Sequence, residues 1–169
     1  MLQGRGPRVA RRSANQPIAR GTDIYLADTL GELGLFFRLA GIVFVGGSLV
    51  AKGGHNPFEA ARLDCAVLHG PDMTNCAAMA ATLAAAGASE TVRDAASLAR
   101  AVTRLLDDPP LRDRRAARAQ SIAAAGSGVL DAVLQRLVPW LDALAPHRAI
   151  EISPPEPRRI AVGHADARS

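Results

Sequence analysis

The sequence predicts an α/β domain built on a doubly wound, Rossmann-like parallel sheet, and three observations carry that expectation. Ile42-Val43-Phe44-Val45 and Ala66-Val67-Leu68 are short apolar runs without alternation, the pattern of strands buried on both faces of a parallel sheet. Segments of helical periodicity follow them through short turns, so strand and helix alternate along the chain. Glycine-rich loops fall at the strand-to-helix junctions, the edge at which such sheets take ligands.

In order, Arg8 to Arg12 and Asp23 to Ala27 are expected as strands, the second alternating apolar and polar residues. After Asp28-Thr29-Leu30-Gly31, the positions Leu33, Phe36, Phe37 and Ala40 recur at helical spacing, predicting a helix from Glu32 to Ala40. Ile42 to Val45 is the next strand and Gly46 ends it. Asn56-Pro57-Phe58-Glu59 opens the following helix, with Asn56 at the cap and Pro57 at the first helical position. A strand at Ala66 to Leu68 is followed by His69-Gly70-Pro71 and an alanine-rich helix from Asn75 to Ala86, closed by Gly87. Glu90 to Val92 reads as a brief strand, and Asp94 as the cap of a helix to Leu106 stopped by Asp107-Asp108-Pro109-Pro110. Leu111 to Ala125 and Val129 to Leu144 complete the helices. Residues 1–144 thus form one domain, and 145–169, with Pro146, Pro154, Pro155 and Pro157, are expected as a poorly ordered tail.

Composition narrows the function. The 169 residues are 49% hydrophobic and only 4% aromatic, which implies an aliphatic core and few stacking platforms for nucleic acid. The net charge of +4 is concentrated in Arg5, Arg8, Arg11, Arg12 and Arg20, which read as a basic leader; the remainder is close to neutral, so no nucleic-acid partner is expected. Two cysteines, Cys65 and Cys76, make no disulfide framework, and with His55 and His69 they lack metal-ligand spacing, so neither metal nor cofactor is expected. The opening residues lack the apolar core of a signal peptide. The longest apolar stretch, Leu39 to Ala51, is interrupted by Gly46, Gly47 and Ser48 and falls short of a membrane span of about 20 residues.

Chemistry concentrates in Gly46 to Glu59. Glu59 stands three residues after Asn56, so the pair forms a capping box, a purely structural reading. On the functional reading, free amides and the positive helix end favour an anion such as phosphate, while Glu59 accepts from ribose hydroxyls. Lys52, the only lysine, stands in what reads as a flexible loop. Asp28 to Gly34 occupies the same strand-to-helix context, so both helix starts should share one edge, and the turn at His69-Gly70-Pro71 would close the base side. Neither the dinucleotide fingerprint nor the phosphate-loop motif is present.

These blocks together resemble the signature of the 3-deoxy-manno-octulosonic acid (Kdo) transferases: Asp28-Thr29-Leu30-Gly31-Glu32-Leu33-Gly34, Phe44-Val45-Gly46-Gly47-Ser48-Leu49, Gly53-Gly54-His55-Asn56-Pro57 with Glu59, and Gly70-Pro71 with Asn75. The likeness runs from about Arg8 to Leu141, and Cys76 departs from it, standing where the family usually has an aromatic residue. The resemblance implies the C-terminal, donor-binding half of a two-domain GT-B glycosyltransferase. Its activity is transfer of Kdo from CMP-Kdo to a lipid A precursor in lipopolysaccharide assembly, by a full-length enzyme associated peripherally with the inner membrane. It implies that Leu30, Gly31, Glu32, Asn56, Pro57, Phe58 and Glu59 contact the CMP portion, with Glu59 on the ribose, and that Ser48 and His55 are secondary candidates for the phosphate or sugar carboxylate. The acceptor domain and general base have no counterpart in these residues, so this chain alone is expected to be inactive. Two other readings stand beside it: a non-catalytic nucleotide-binding fragment, and a related transferase using a UDP-sugar.

Overall fold

The structure, a computed structural model, describes residues 6–125 and 128–144. The elements are β1 (Val9–Arg11), β2 (Ile24–Leu26), α1 (Leu33–Leu39), β3 (Ile42–Val45), α2 (Pro57–Ala61), β4 (Ala66–His69), α3 (Ala77–Ala85), β5 (Ser89–Thr91), α4 (Ala95–Asp107), α5 (Pro109–Ala125) and α6 (Gly128–Leu144), with a 3-10 turn at Thr74–Cys76 before α3. Every strand pairing is parallel, as the alternation of strand and helix requires.

The strands do not form one continuous sheet. Among the described residues, β1 pairs only with β2, and β3, β4 and β5 form a separate sheet in that order. The larger sheet has two covered faces. On one, Val45 and Val67 pack with Ala60, Ala61, Leu83, Ala119 and Ala123; on the other, Ala66 and Leu68 pack with Val92, Ala101 and Leu105. The period-2 alternation of strand side chains divides the run this way, and β4, central in its sheet, is buried at every position. The abundant alanines let helices approach the sheet closely: Ala60, Ala61, Ala101, Ala119 and Ala123 are all at most 1% exposed.

Several expectations shift by a turn. The alanine-rich helix begins at Ala77, because Thr74 to Cys76 tighten into a 3-10 turn that seats Asn75 against the preceding loop. Asp94 does cap α4, and its partner is Ser97: the Ser97 amide donates to the Asp94 carboxylate at 2.6 Å and the Asp94 amide to the Ser97 hydroxyl at 3.0 Å. The prolines at 109 and 110 do not leave a gap but form the first turn of α5, where a missing N–H costs nothing. Residues 145–169, expected as a tail, lie outside the described residues. α6 has 17 residues with Pro139 inside it, and the chain divides into two compact units after Val129. No described helix is long and apolar enough to cross a membrane.

Candidate functional site

The loop after β3 is held by hydrogen bonds to the turn that follows β4. Ser48 is fully buried; its hydroxyl donates to the Val45 carbonyl at 2.5 Å and accepts from the Gly70 amide at 2.7 Å. The Ser48 carbonyl takes the Asp72 amide at 3.0 Å. Gly70 is required here by close approach, since a Cβ at that position would lie 2.0 Å from the Ser48 carbonyl oxygen. Farther along, the Gly53 amide donates to the Asp72 carboxylate at 2.7 Å, and the Asn75 side-chain amide donates to the carbonyls of Lys52 at 3.1 Å and Gly54 at 3.3 Å. Donation from Thr74 and Gly53 holds the Asp72 carboxyl below its ordinary value.

Where a flexible loop was expected, the turn from Gly70 to Asn75 ties the loop at both ends. Ser48 serves as the rivet of that turn, its hydroxyl donating and accepting inside the protein. His55 differs, being exposed, with its ring carbon Cδ2 beside the Gly46 and Gly47 backbone at the end of β3. The Asn75 block of the sequence motif thus works by shaping the β3 loop.

At α2, the Asn56 side chain accepts from the Phe58 amide at 2.9 Å, and Pro57 is buried in the first turn. The capping box read from the sequence does not close, because the cap bond runs only from Asn56 and Glu59 does not return it. Glu59 is exposed and instead lines a cavity of about 280 Å³ together with Leu33, Gly34 and Phe37 of α1 and with Arg62 and Leu63. The first turn of α1 and the α2 carboxylate are thereby brought to one groove. The helix-dipole expectation is weakened, since α1 has seven residues and α2 five. What the helix starts offer is local amides.

The turn before α1 carries its own electrostatic frame. Arg12 donates to Glu32 through Nε at 3.0 Å and Nη2 at 2.5 Å, and Thr29 donates its hydroxyl to the same carboxylate. These donors hold the Glu32 carboxyl at about 2. Asp28 accepts from the Ser13 amide at 2.9 Å, the Ser13 hydroxyl at 2.8 Å and the Arg11 guanidinium, and lies well below the carboxylate range for that reason. Glu32, expected as a donor-binding residue, is thus already engaged by a bidentate arginine and anchors the α1 turn to β1. Arg8, Arg11 and Arg12 correct the leader reading: they belong to the first strand segment and pair with Asp23, Asp28 and Glu32. No sequence signal marks these partners, which stand 15 to 20 residues apart. Between the framed carboxylates, Leu30 is 100% exposed and Gly31 takes a positive φ of 82° with open space around it, so backbone conformation alone selects glycine there.

A second cleft, of about 410 Å³, opens at the carboxyl ends of β4 and β5, lined by His69, Pro71, Asp72, Thr74, Thr91 and alanines of α3. His69 is buried with its ring nitrogens at 2.7 Å from the Gly70 carbonyl and 3.3 Å from the Ser89 hydroxyl. Among the described residues, no group of three or more His, Cys, Asp and Glu could hold a metal ion.

No family model matches the chain. It is 35% identical over 133 residues, 78% of its length, to the 3-deoxy-D-manno-octulosonic acid transferase of Haemophilus influenzae, and 34% identical over 142 residues, 83% of its length, to that of Bordetella pertussis. The chain belongs to the 3-deoxy-D-manno-octulosonic acid transferase family. It spans 31% and 33% of those two transferases, about a third of each. The structure agrees: it is similar to the crystal structure of the C-terminal CMP-Kdo binding domain of WaaA from Acinetobacter baumannii. The TM-score is 0.66 at 32% identity, over 69% of this chain and 61% of that one. The fold class read from the sequence is that of this solved transferase domain.

Proposed function

We propose that this chain is the donor-binding domain of a Kdo transferase and that it holds CMP-Kdo at the groove between the first turn of α1 and α2. One observation supports the reading above others: Glu59 shares a cavity with Leu33 and Gly34, directly after the exposed Leu30-Gly31 turn. Glu59 is an exposed carboxylate with no partner among the described residues, suited to accept hydrogen bonds from ribose hydroxyls. Leu30 and Gly31 present an unobstructed backbone, Asn56, Pro57 and Phe58 fix the orientation of the α2 start, and His55 lies over the β3 turn at the phosphate side. Glu32 and Ser48 act behind this surface, holding its backbone in place.

The acceptor in this proposal is a lipid A precursor, carried by a second domain of a GT-B enzyme at the inner membrane. Transfer needs both positioning of the donor and deprotonation of the acceptor hydroxyl. This chain supplies the first. Purified chain should therefore bind CMP and CMP-Kdo without turning over.

Thermal melting tests the reading. A ligand at 100 times its Kd stabilises the native state by about 2.7 kcal/mol, a readily measured rise in Tm. CMP should raise Tm and Glu59→Ala should abolish the rise while leaving the unliganded Tm nearly unchanged, because Glu59 is exposed. A rise with UDP and none with CMP would transfer the domain to a UDP-sugar enzyme.

A further inference from the structure

The cleft beyond β4 and β5 shares no lining residue with the groove that holds Glu59, and the donor reading makes no use of it. Its position follows from strand register. His69 and Thr91, the last residues of β4 and β5, are paired directly, so their side chains rise on one face at the carboxyl edge of the sheet, where parallel sheets take ligands. The volume of about 410 Å³ falls within the range of about 300–1,000 Å³ typical of small-molecule sites, near the end that admits one substituted ring.

Each wall limits what can enter. Ala77, Ala81 and Ala84 recur at helical spacing on α3 and are exposed, so the side of α3 that lines the cleft presents only methyl groups to water. The exposed positions of α4 and α5 carry Arg100, Arg104, Arg114 and Arg118 instead, as solvated helices do. A methyl floor lets a ring lie close against the helix. Two polar groups face it with hydrogen-bonding capacity to spare. The Thr91 hydroxyl, exposed at the end of β5, has no partner among the described residues. Asp72 accepts from the Gly53 amide at 2.7 Å through Oδ2, which can accept once more. His69 adds a wall and no further bonds, since its ring nitrogens are taken up by the Gly70 carbonyl and the Ser89 hydroxyl.

This chemistry discriminates between ligand classes. No Phe, Tyr or Trp lines the cleft, so a nucleobase finds no aromatic surface on which to stack. No Lys or Arg lines it either, so a phosphate or carboxylate would face Asp72 with no cation among the lining residues to offset it. What fits is a ring with an apolar C–H face and an edge of hydroxyls. We infer that this cleft is a binding site for the ring of an uncharged sugar, with its C–H face on the alanines of α3 and its hydroxyls on Thr91 and Asp72. Because Asp72 also holds the Gly53 amide, occupancy is felt in the loop after β3. The site stands independently of the donor reading and is measured without nucleotide.

Nuclear magnetic resonance on the isotope-labelled 169-residue chain tests it. The probes are the methyl glycosides of glucose, galactose, mannose and N-acetylglucosamine, each raised to about 50 mM. At least one should shift the amides of Ala77, Ala81, Thr91 and Gly53 together, with half-saturation at about 1–20 mM, while Leu33 and Glu59 stay fixed. Thr91→Val keeps the β-branched shape and removes a hydroxyl that no described residue uses. Its Tm should therefore hold while half-saturation rises about fivefold or more. The inference is overturned if none of the four probes gives a saturable shift at these amides, or if inorganic phosphate moves them equally. A response centred on Leu33 and Glu59, or a half-saturation unchanged in Thr91→Val, would overturn it as well.

Discussion

The β3-β4-β5 region and the β1-β2 region use the same strand chemistry with opposite results. In the larger sheet, helices cover both faces and β4 is buried at every residue. In the smaller one, Ala10 and Tyr25 turn toward α1, where Tyr25 meets Phe36 at 6.1 Å, while Val9, Ile24 and Leu26 on the other face are 52%, 48% and 46% exposed. Order in the first region comes from apolar burial. The second is held by Arg8-Asp23, Arg11-Asp28 and Arg12-Glu32 pairs, which lie in partial solvent where such pairs contribute little each. The groove proposed for the donor draws Leu33 and Gly34 from α1 and Glu59 from α2.

Mutational cost separates the regions most sharply. Leu68→Ala, at a fully buried position, should destabilise by about 2–5 kcal/mol in urea unfolding. Ile24→Ala should cost less than about 1 kcal/mol, because half its surface is already in water. Equal costs would mean that the β1-β2 face is covered in solution, and the comparison would fail. Gly70→Ala should come next, at about 1–3 kcal/mol, since its methyl meets the Ser48 carbonyl and the loop must move. It should also weaken CMP binding, which Leu68→Ala at a temperature well below its Tm should not. Asp94→Ala removes the α4 cap and should cost about 1 kcal/mol.

Acid sharpens the contrast with the smallest effect. Glu32 has its pKa depressed from 4.5 to about 2, so its stabilising contribution is present above pH 4.5 and is lost as pH falls through about 2. Asp28 shifts in the same direction. Amide exchange at residues 9–33 should therefore rise between pH 4.5 and 2 beyond the intrinsic trend, while Val67 and Leu68 amides stay protected. Glu32→Gln should raise exchange at those residues already at neutral pH and flatten its pH response; a response as steep as that of the native chain would remove the ion-pair account.

Much of this was legible in the chain. β3 and β4 could be read because parallel strands covered on both faces are apolar at successive positions, and the caps at Asn56 and Asp94 because capping is local chemistry. The Gly-rich loops could be located for the same reason. Roles within them could not: Ser48, Glu32 and Glu59 are all polar residues in motif blocks, and only burial and partners separate the rivet, the anchor and the free carboxylate. The bond from Asn75 back to Lys52 and Gly54 crosses more than 20 residues, beyond any local pattern.

By itself the sequence determined the alternation of parallel strands and helices, the glycine positions and the transferase family, because hydrophobic period, backbone permissiveness and motif spacing are written residue by residue. Tertiary structure alone decided which carboxylate lacks a partner among the described residues, that the β3 loop is pinned, and that the strands fall into two sheets, β1-β2 and β3-β4-β5. Those outcomes depend on which distant groups satisfy each other's hydrogen bonds, and that is settled only when the chain closes on itself.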